Sequence, residues 1–385
     1  MASGAYLKPW RDSQRAHIFI VGFLANFGYG TLSFTLNYAM AVEGPMNSFL
    51  YQVLRMFMLG YIFVPLTFWF HSKFKSRNLL FLIQLAGLGL FFIDRSSGLI
   101  NGLAVTLAFA PFLALHNYRF AKAQSRDNRG NETALISFLV AMSYSIGLFL
   151  GGFALQFGYY YAAVIGGSLC TMIGSYFLYQ PLTGRNNVSK VKSLIGINKP
   201  STRISFFSGL FNVMADGGMP IWMHALGISP LGAGINMSLR PMIGLLLTPV
   251  AGWLIQKKGF RAGQLGGAAL ILGWALMAGA PYMPWILSLG LGVISIGSNL
   301  LNPMEVGRWY KRRSSAGIIA REMVIATGRM HSYTLGILVC AFMPATYPLM
   351  GLLFGGLFIL GTRPHRKGLS RPTLTLPRDI PYTTQ

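Results

Sequence analysis

The chain has 385 residues, 53% of them hydrophobic and 11% charged, with a formal net charge of +23. A soluble domain holds roughly 25% charged residues, so this composition excludes an ordinary soluble protein and points to an integral membrane protein. The basic excess is scattered through several segments rather than gathered on one face, which argues against a nucleic-acid partner.

Apolar stretches of about 20 residues, enough to cross roughly 30 Å of hydrocarbon, recur along the whole chain. They predict twelve helices, at 17–42, 46–70, 78–93, 98–117, 133–157, 159–180, 204–226, 230–255, 262–281, 284–305, 322–343 and 346–362. The weakest divisions fall at Gly158 and at Pro344 to Pro348. Of 32 Lys and Arg, 28 lie in one alternating set of segments: both termini and the connections after the even-numbered helices. Only Arg95 lies in the opposite set. The positive-inside rule then places both termini in the cytoplasm, with a bacterial inner membrane as the expected location. The N-terminal MASGAYLKPWRDSQRAH lacks the small-residue cleavage site of a secretory signal, so the first apolar stretch is expected to remain as a helix. Cys170 and Cys340 fall in apolar spans, which implies neither a disulfide framework nor a metal site.

The sequence is doubled. VPLTFWFHSKFKSR, ending the second helix, aligns with TPVAGWLIQKKGFR, ending the eighth, so that Pro65, Trp69, Lys73 and Arg77 meet Pro249, Trp253, Lys257 and Arg261. SYSIG (143–147) likewise corresponds to SYTLG (332–336), and Asn26 to Asn212. Three matches in the same order favour two related six-helix halves. The expected organisation is one bundle over 1–180, a polar, basic cytoplasmic linker over 181–203, a second bundle over 204–362 and a cytoplasmic tail over 363–385.

With these features the chain resembles the major facilitator superfamily over nearly its whole length. GWLIQKKGFRAGQ (252–264) is similar to that family's cytoplasmic loop motif; its first-half counterpart, HSKFKSRNLL, keeps the basic residues but lacks the glycine and the acidic residue of the motif. GLFLGGFAL (147–155) loosely resembles the fifth-helix glycine motif of antiporters, although close helix packing alone would call for such small residues. The resemblance implies an all-α membrane protein of twelve helices in two pseudosymmetric bundles. It also implies a monomer that moves a small solute by alternating access. No nucleotide-binding motif is present, so ATP is not expected as the direct energy source, and no cofactor is expected.

Three arginines stand inside predicted spans: Arg55, Arg240 and Arg329. Arg55 and Arg240 occupy nearly equivalent places ahead of Pro65 and Pro249, about ten residues and so roughly 15 Å from one end of their helices. An arginine at that depth costs around 2.5 to 3.5 kcal/mol. Two readings follow. Either the pair faces a wet cavity and offers its planar donor forks to an anion, or each arginine ties down backbone carbonyls and neighbouring helices.

Asp216 is the one acid well inside a span, a proton-coupling candidate or else a fixed counter-ion to Arg240 or Arg329. Arg329 is a secondary candidate, expected near the cytoplasmic third of its helix, where it can snorkel or pair with Glu322. Asn26, Asn212, Gln52, Asn236, Tyr144 and Tyr333 are the expected polar lining.

No nucleophile–base cluster, metal-ligand spacing or phosphate cradle appears, so no enzymatic activity is expected. The expected function is secondary transport of a small anionic organic solute, coupled to protons or to a counter-anion. The alternative is efflux of a drug or amphiphile through an aromatic cavity, with the arginines structural.

Overall fold

Within a bilayer each backbone N–H must find its carbonyl inside its own segment, so long apolar runs fold as helices. A computed structural model of the chain describes residues 13–123, 129–179, 190–196, 199–215, 217–243, 260–280, 283–310 and 314–362. Every regular element among them is helical. In chain order these are α1 (Ser13–Val42), α2 (Pro45–Lys73), α3 (Arg77–Leu90), α4 (Gly98–Ala123), α5 (Arg129–Gln156) and α6 (Tyr160–Leu178). There follow α7 (Pro200–Ala215), α8 (Met219–Ala225), α9 (230–243), α10 (Phe260–Met277), α11 (Pro284–Tyr310), α12 (Ser315–Phe342) and α13 (Tyr347–Thr362). Five of them contain stretches long and apolar enough to cross a membrane: Ala16–Val42, Pro45–Lys73, Gly98–Phe120, Phe138–Gln156 and Tyr160–Leu178.

Several boundaries differ from expectation for local reasons. The stretch expected as one helix over 204–226 is divided, α7 ending at Ala215 and α8 starting at Met219 with Pro220 in its first turn. Pro65 has no N–H for the carbonyl of Tyr61, and just ahead of it α2 widens into a π turn over Met58–Phe63. α12 starts seven residues earlier than expected: the Ser314 hydroxyl accepts the Gly317 N–H at 3.1 Å and so caps the helix. Its first turns are held by burial, because Ala316, Ile318, Ile319 and Ala320 pack in one cluster with Phe68 and Leu115. Part of the segment expected as a linker is folded: Val191–Leu194 form a helical turn with Val191 buried in that cluster. The second copy of the loop motif, 252–264, lies mostly outside the described residues.

Helix α1 packs along α5 and α6, and α7 along α12 and α13. The α1–α5 contact is backbone on backbone. A Cβ on Gly30 would stand 2.5 Å from the Tyr144 carbonyl oxygen, and one on Gly147 would strike the Phe27 carbonyl. Close packing therefore accounts for the glycines of GLFLGGFAL.

Among the described residues, the helices of the first half meet those of the second at several places. α2 runs against α12, where Gly60 abuts Ala326 and the Glu322 carbonyl, and Tyr61 and Thr327 hydroxyls lie 2.5 Å apart. The Tyr38 hydroxyl of α1 donates to the Ile228 carbonyl at 2.6 Å, and its ring meets His224 edge-on. α5 approaches α9 at Gly152, where a Cβ would sit 2.6 Å from the Pro230 carbonyl and 2.9 Å from Gly234 Cα.

Candidate functional site

Arg55 lies ten residues into α2, about 15 Å along the helix from its start, and is only 3% exposed. Residues three and four positions earlier share its face of the helix, and these are Gln52 and Tyr51. Both are fully buried and both hold it: Nη1 donates to the Tyr51 hydroxyl at 2.8 Å and Nη2 to Gln52 Oε1 at 2.7 Å. The guanidinium also lies over the Tyr51 ring, 4.8 Å from its centroid. Gln52 in turn donates to Asn37 Oδ1, and Asn37 to Ser33 Oγ, so the network reaches α1.

A third bond crosses between the halves. Nη2 of Arg55 donates to the Tyr333 hydroxyl of α12 at 3.1 Å. Tyr29 and Tyr144 stand within electrostatic range of the same guanidinium, their rings stacked with centroids 5.9 Å apart, and Tyr29 stacks on Phe109 at 3.7 Å. Tyr144 and Tyr333 are the matching tyrosines of SYSIG and SYTLG, so the sequence repeat converges on one cation. The groups bonded to Arg55 are thus two phenols and a carboxamide, with two further phenols in range; none is a carboxylate. Three of the five N–H donors of a guanidinium are used, and Nε has no partner.

Arg329 is set deeper than expected. The earlier start of α12 places it midway along that 28-residue helix, one turn before Tyr333. It does not pair with Glu322. That carboxylate is buried, accepts from Arg321 Nη1 at 2.7 Å, and takes a longer bond of 3.4 Å from Asn117 of α4. Arg329 is half-buried and makes no hydrogen bond or ion pair with any described residue.

No family model matches the sequence, and no curated protein matches it. Solved structures do. The human organic anion transporter MFSD10 (TETRAN) superposes with a TM-score of 0.59 at 14% identity, over 91% of this chain and 99% of that one. A mutant of the nucleoside transporter NupG gives 0.64 at 16% identity, over 91% and 98%. A bacterial homologue of the iron transporter ferroportin, in an outward-facing state with soaked iron, gives 0.60 at 13% identity, over 90% and 98%. The chain has the major facilitator fold.

The remaining candidates of this major facilitator fold have the following places. Arg240 is buried on α9. Asn26 is buried on α1 and donates its amide to the Gly22 carbonyl at 2.7 Å. Asn236 donates to the Gly232 carbonyl at 2.9 Å and accepts from Ser288 at 2.5 Å. Asp216 and the side chain of Asn212 lie outside the described residues.

Of the expected set, then, Arg55, Gln52, Tyr144 and Tyr333 come together, and Arg329 stands one turn away. Sequence reasoning missed Tyr51, Tyr29 and Asn37. Tyr51 was within reach through its four-residue spacing from Arg55; Tyr29 and Asn37 carry no comparable mark. Among the described residues no group of three or more His, Cys, Asp or Glu could hold a metal ion.

Proposed function

We propose that this chain is a secondary active transporter that carries a small anionic organic solute by alternating access, coupled to protons or to a counter-anion. The observation that carries the reading is the deeply buried Arg55, held by neutral phenols and an amide and compensated by no carboxylate among the described residues. A cation at that depth makes a centre that favours a negative ligand, and Arg329 lies on the helix that carries Tyr333, one turn earlier. Gln52 and Tyr144 would line it, and Asn26, Asn212, Asn236, Arg240 and Asp216 remain secondary assignments.

The mechanism follows from donor counting. Nε–H and one Nη1–H are uncommitted, but they do not form a fork with Nη2, both of whose protons go to Gln52 and Tyr333. A carboxylate that takes two parallel bonds from Nε and Nη2 must therefore displace an acceptor from Nη2. The Tyr333 bond is the longer of the two, and it alone crosses between the halves. Anion binding would thus remove one of the hydrogen bonds that tie α2 to α12, the Tyr61–Thr327 contact remaining, and so loosen the halves for rocking about the loaded site. Similarity to an organic anion transporter agrees with this cargo, while the nucleoside, peptide and iron transporters of the same fold do not require it. The protein is proposed to work as a monomer in a bacterial inner membrane with both termini cytoplasmic, and to have no enzymatic activity.

The aromatic wall of Tyr29, Phe109 and Tyr144 favours a second reading, efflux of a drug or amphiphile. A thermal-shift screen of the purified protein against anionic and neutral metabolites separates the two, because a ligand of the folded form raises the melting point. The expected hit is an anion whose shift disappears in Arg55→Gln. A neutral apolar compound that shifts wild type and variant alike would overturn the anion reading and support efflux. Counterflow of the hit in proteoliposomes would then establish carriage.

A further inference from the structure

The connection between α2 and α3 carries three cations in five residues, Lys73, Lys75 and Arg77, all of them exposed. None makes a hydrogen bond or ion pair with a described residue through its side chain. Two of them rest on aromatic rings. Lys73 Nζ lies 5.0 Å from the Trp69 centroid and 5.5 Å from that of Phe74, and Arg77 stacks 3.7 Å over Tyr176 of α6. Lys75 has a φ of +47°, a left-handed conformation that disfavours a lysine. The rings are outward-facing: Trp69 is 44% and Phe74 49% exposed. Beside them Arg77, Phe81, Gln84, Ser175 and Tyr176 line a narrow cleft between α3 and α6.

A rule of orientation asks only that the loop be positive. It does not ask that the charges be seated on rings at the edge of an apolar wall, nor that a lysine hold a strained position. We propose that this loop binds the phosphate of an anionic phospholipid, with an acyl chain running down the exposed Phe81 and Phe177 of the α3–α6 wall. Charge complementarity selects the headgroup: no described residue neutralises Lys73, Lys75 or Arg77. α3 has no acid in its first turn to repel the headgroup, its Leu79 N–H being capped by the Ser76 hydroxyl at 3.3 Å. Trp69 and Phe74 set the depth, since such rings settle at the level of the headgroups.

Native mass spectrometry of the full chain, titrated with phosphatidylglycerol, tests the assignment without knowledge of the transported solute. Each such cation near an anionic surface is worth about a factor of five, so Lys73→Gln, Lys75→Gln and Arg77→Gln together should weaken the tightest lipid on the order of a hundredfold. Replacing Lys190, Lys192 and Lys199 by Gln should leave it within about twofold, which the local reading requires. A charge-preserving triple, Lys73→Arg, Lys75→Arg and Arg77→Lys, should bind as wild type does. Undiminished binding in the glutamine triple, equal loss in the Lys190 set, or loss in the charge-preserving triple would overturn the proposal. Displacement of the lipid by an equal concentration of inorganic phosphate would overturn it too, by assigning the site to free phosphate.

Discussion

Tyr333→Phe removes one oxygen from the interior and tests whether the phenol competes with the cargo or helps to bind it. The hydroxyl accepts from Arg55 Nη2 at 3.1 Å and stands where a Cβ on Gly217 would collide with it, while the ring is buried at 3% exposure. The packing of the ring survives the substitution. A hydrogen bond to a charged group is worth about 1.5 to 3 kcal/mol, and the length of this one places it near the lower end. If the anion must break that bond to take the Nε–Nη2 fork, its removal in advance should tighten equilibrium binding by about tenfold. Calorimetric titration of the anion found by thermal shift, on wild type and variant in the same detergent, reads this directly. Turnover should fall in the same variant, because the α2–α12 tie no longer responds to loading. Binding that weakens by tenfold or more would refute the competition and make the Tyr333 hydroxyl a ligand in its own right.

Four further outcomes follow. Arg55→Gln should weaken anion binding by about 2 to 5 kcal/mol, or thirtyfold and upward, by the same titration. Arg55→Lys keeps the charge but not the fork, and should recover only part of that loss. Arg329→Gln should cost the anion about 1 to 3 kcal/mol while leaving the unliganded melting point nearly unchanged, since Arg329 makes no bond to a described residue that folding would forfeit. Gly147→Ala should lower thermal stability by about 1 to 3 kcal/mol, because its methyl group meets the α1 backbone at the Phe27 carbonyl and Thr31 N rather than a movable side chain.

Much of the fold was legible because a bilayer imposes length and apolarity on each helix, and these are properties of single segments. α1 and α6 were placed on that basis within a few residues at each end. What was not legible depended on neighbours. The first turns of α12 look polar enough to be loop, yet Ser315, Ile318 and Ile319 are buried by helices far away in the sequence. That misjudgement of seven residues moved Arg329 from the helix end to its middle and suggested a partner, Glu322, that other groups hold. The site was legible in the same proportion. Arg55 announces itself by being charged among apolar residues, and Gln52 by helical spacing. The approach of Tyr333 across 278 residues could be foreseen only as the repeat partner of Tyr144, with no sign that both would face Arg55.

The chemistry of Arg55's partners bears on function more than its burial does. A buried guanidinium must have acceptors, and a carboxylate is the strongest one available; breaking such a pair costs about 3 to 5 kcal/mol, which an incoming anion would have to match before binding at all. Phenols and a carboxamide satisfy the same N–H groups for about 1.5 to 3 kcal/mol each, and no carboxylate among the described residues bonds to the guanidinium. An arginine whose only task were to fasten helices would gain from a carboxylate. Under the proposed mechanism, one that must give up an acceptor and take it back in every transport cycle needs the weaker, neutral tie; Tyr333 would supply it from α12, so that loading the site and loosening the α2–α12 contact would become one event.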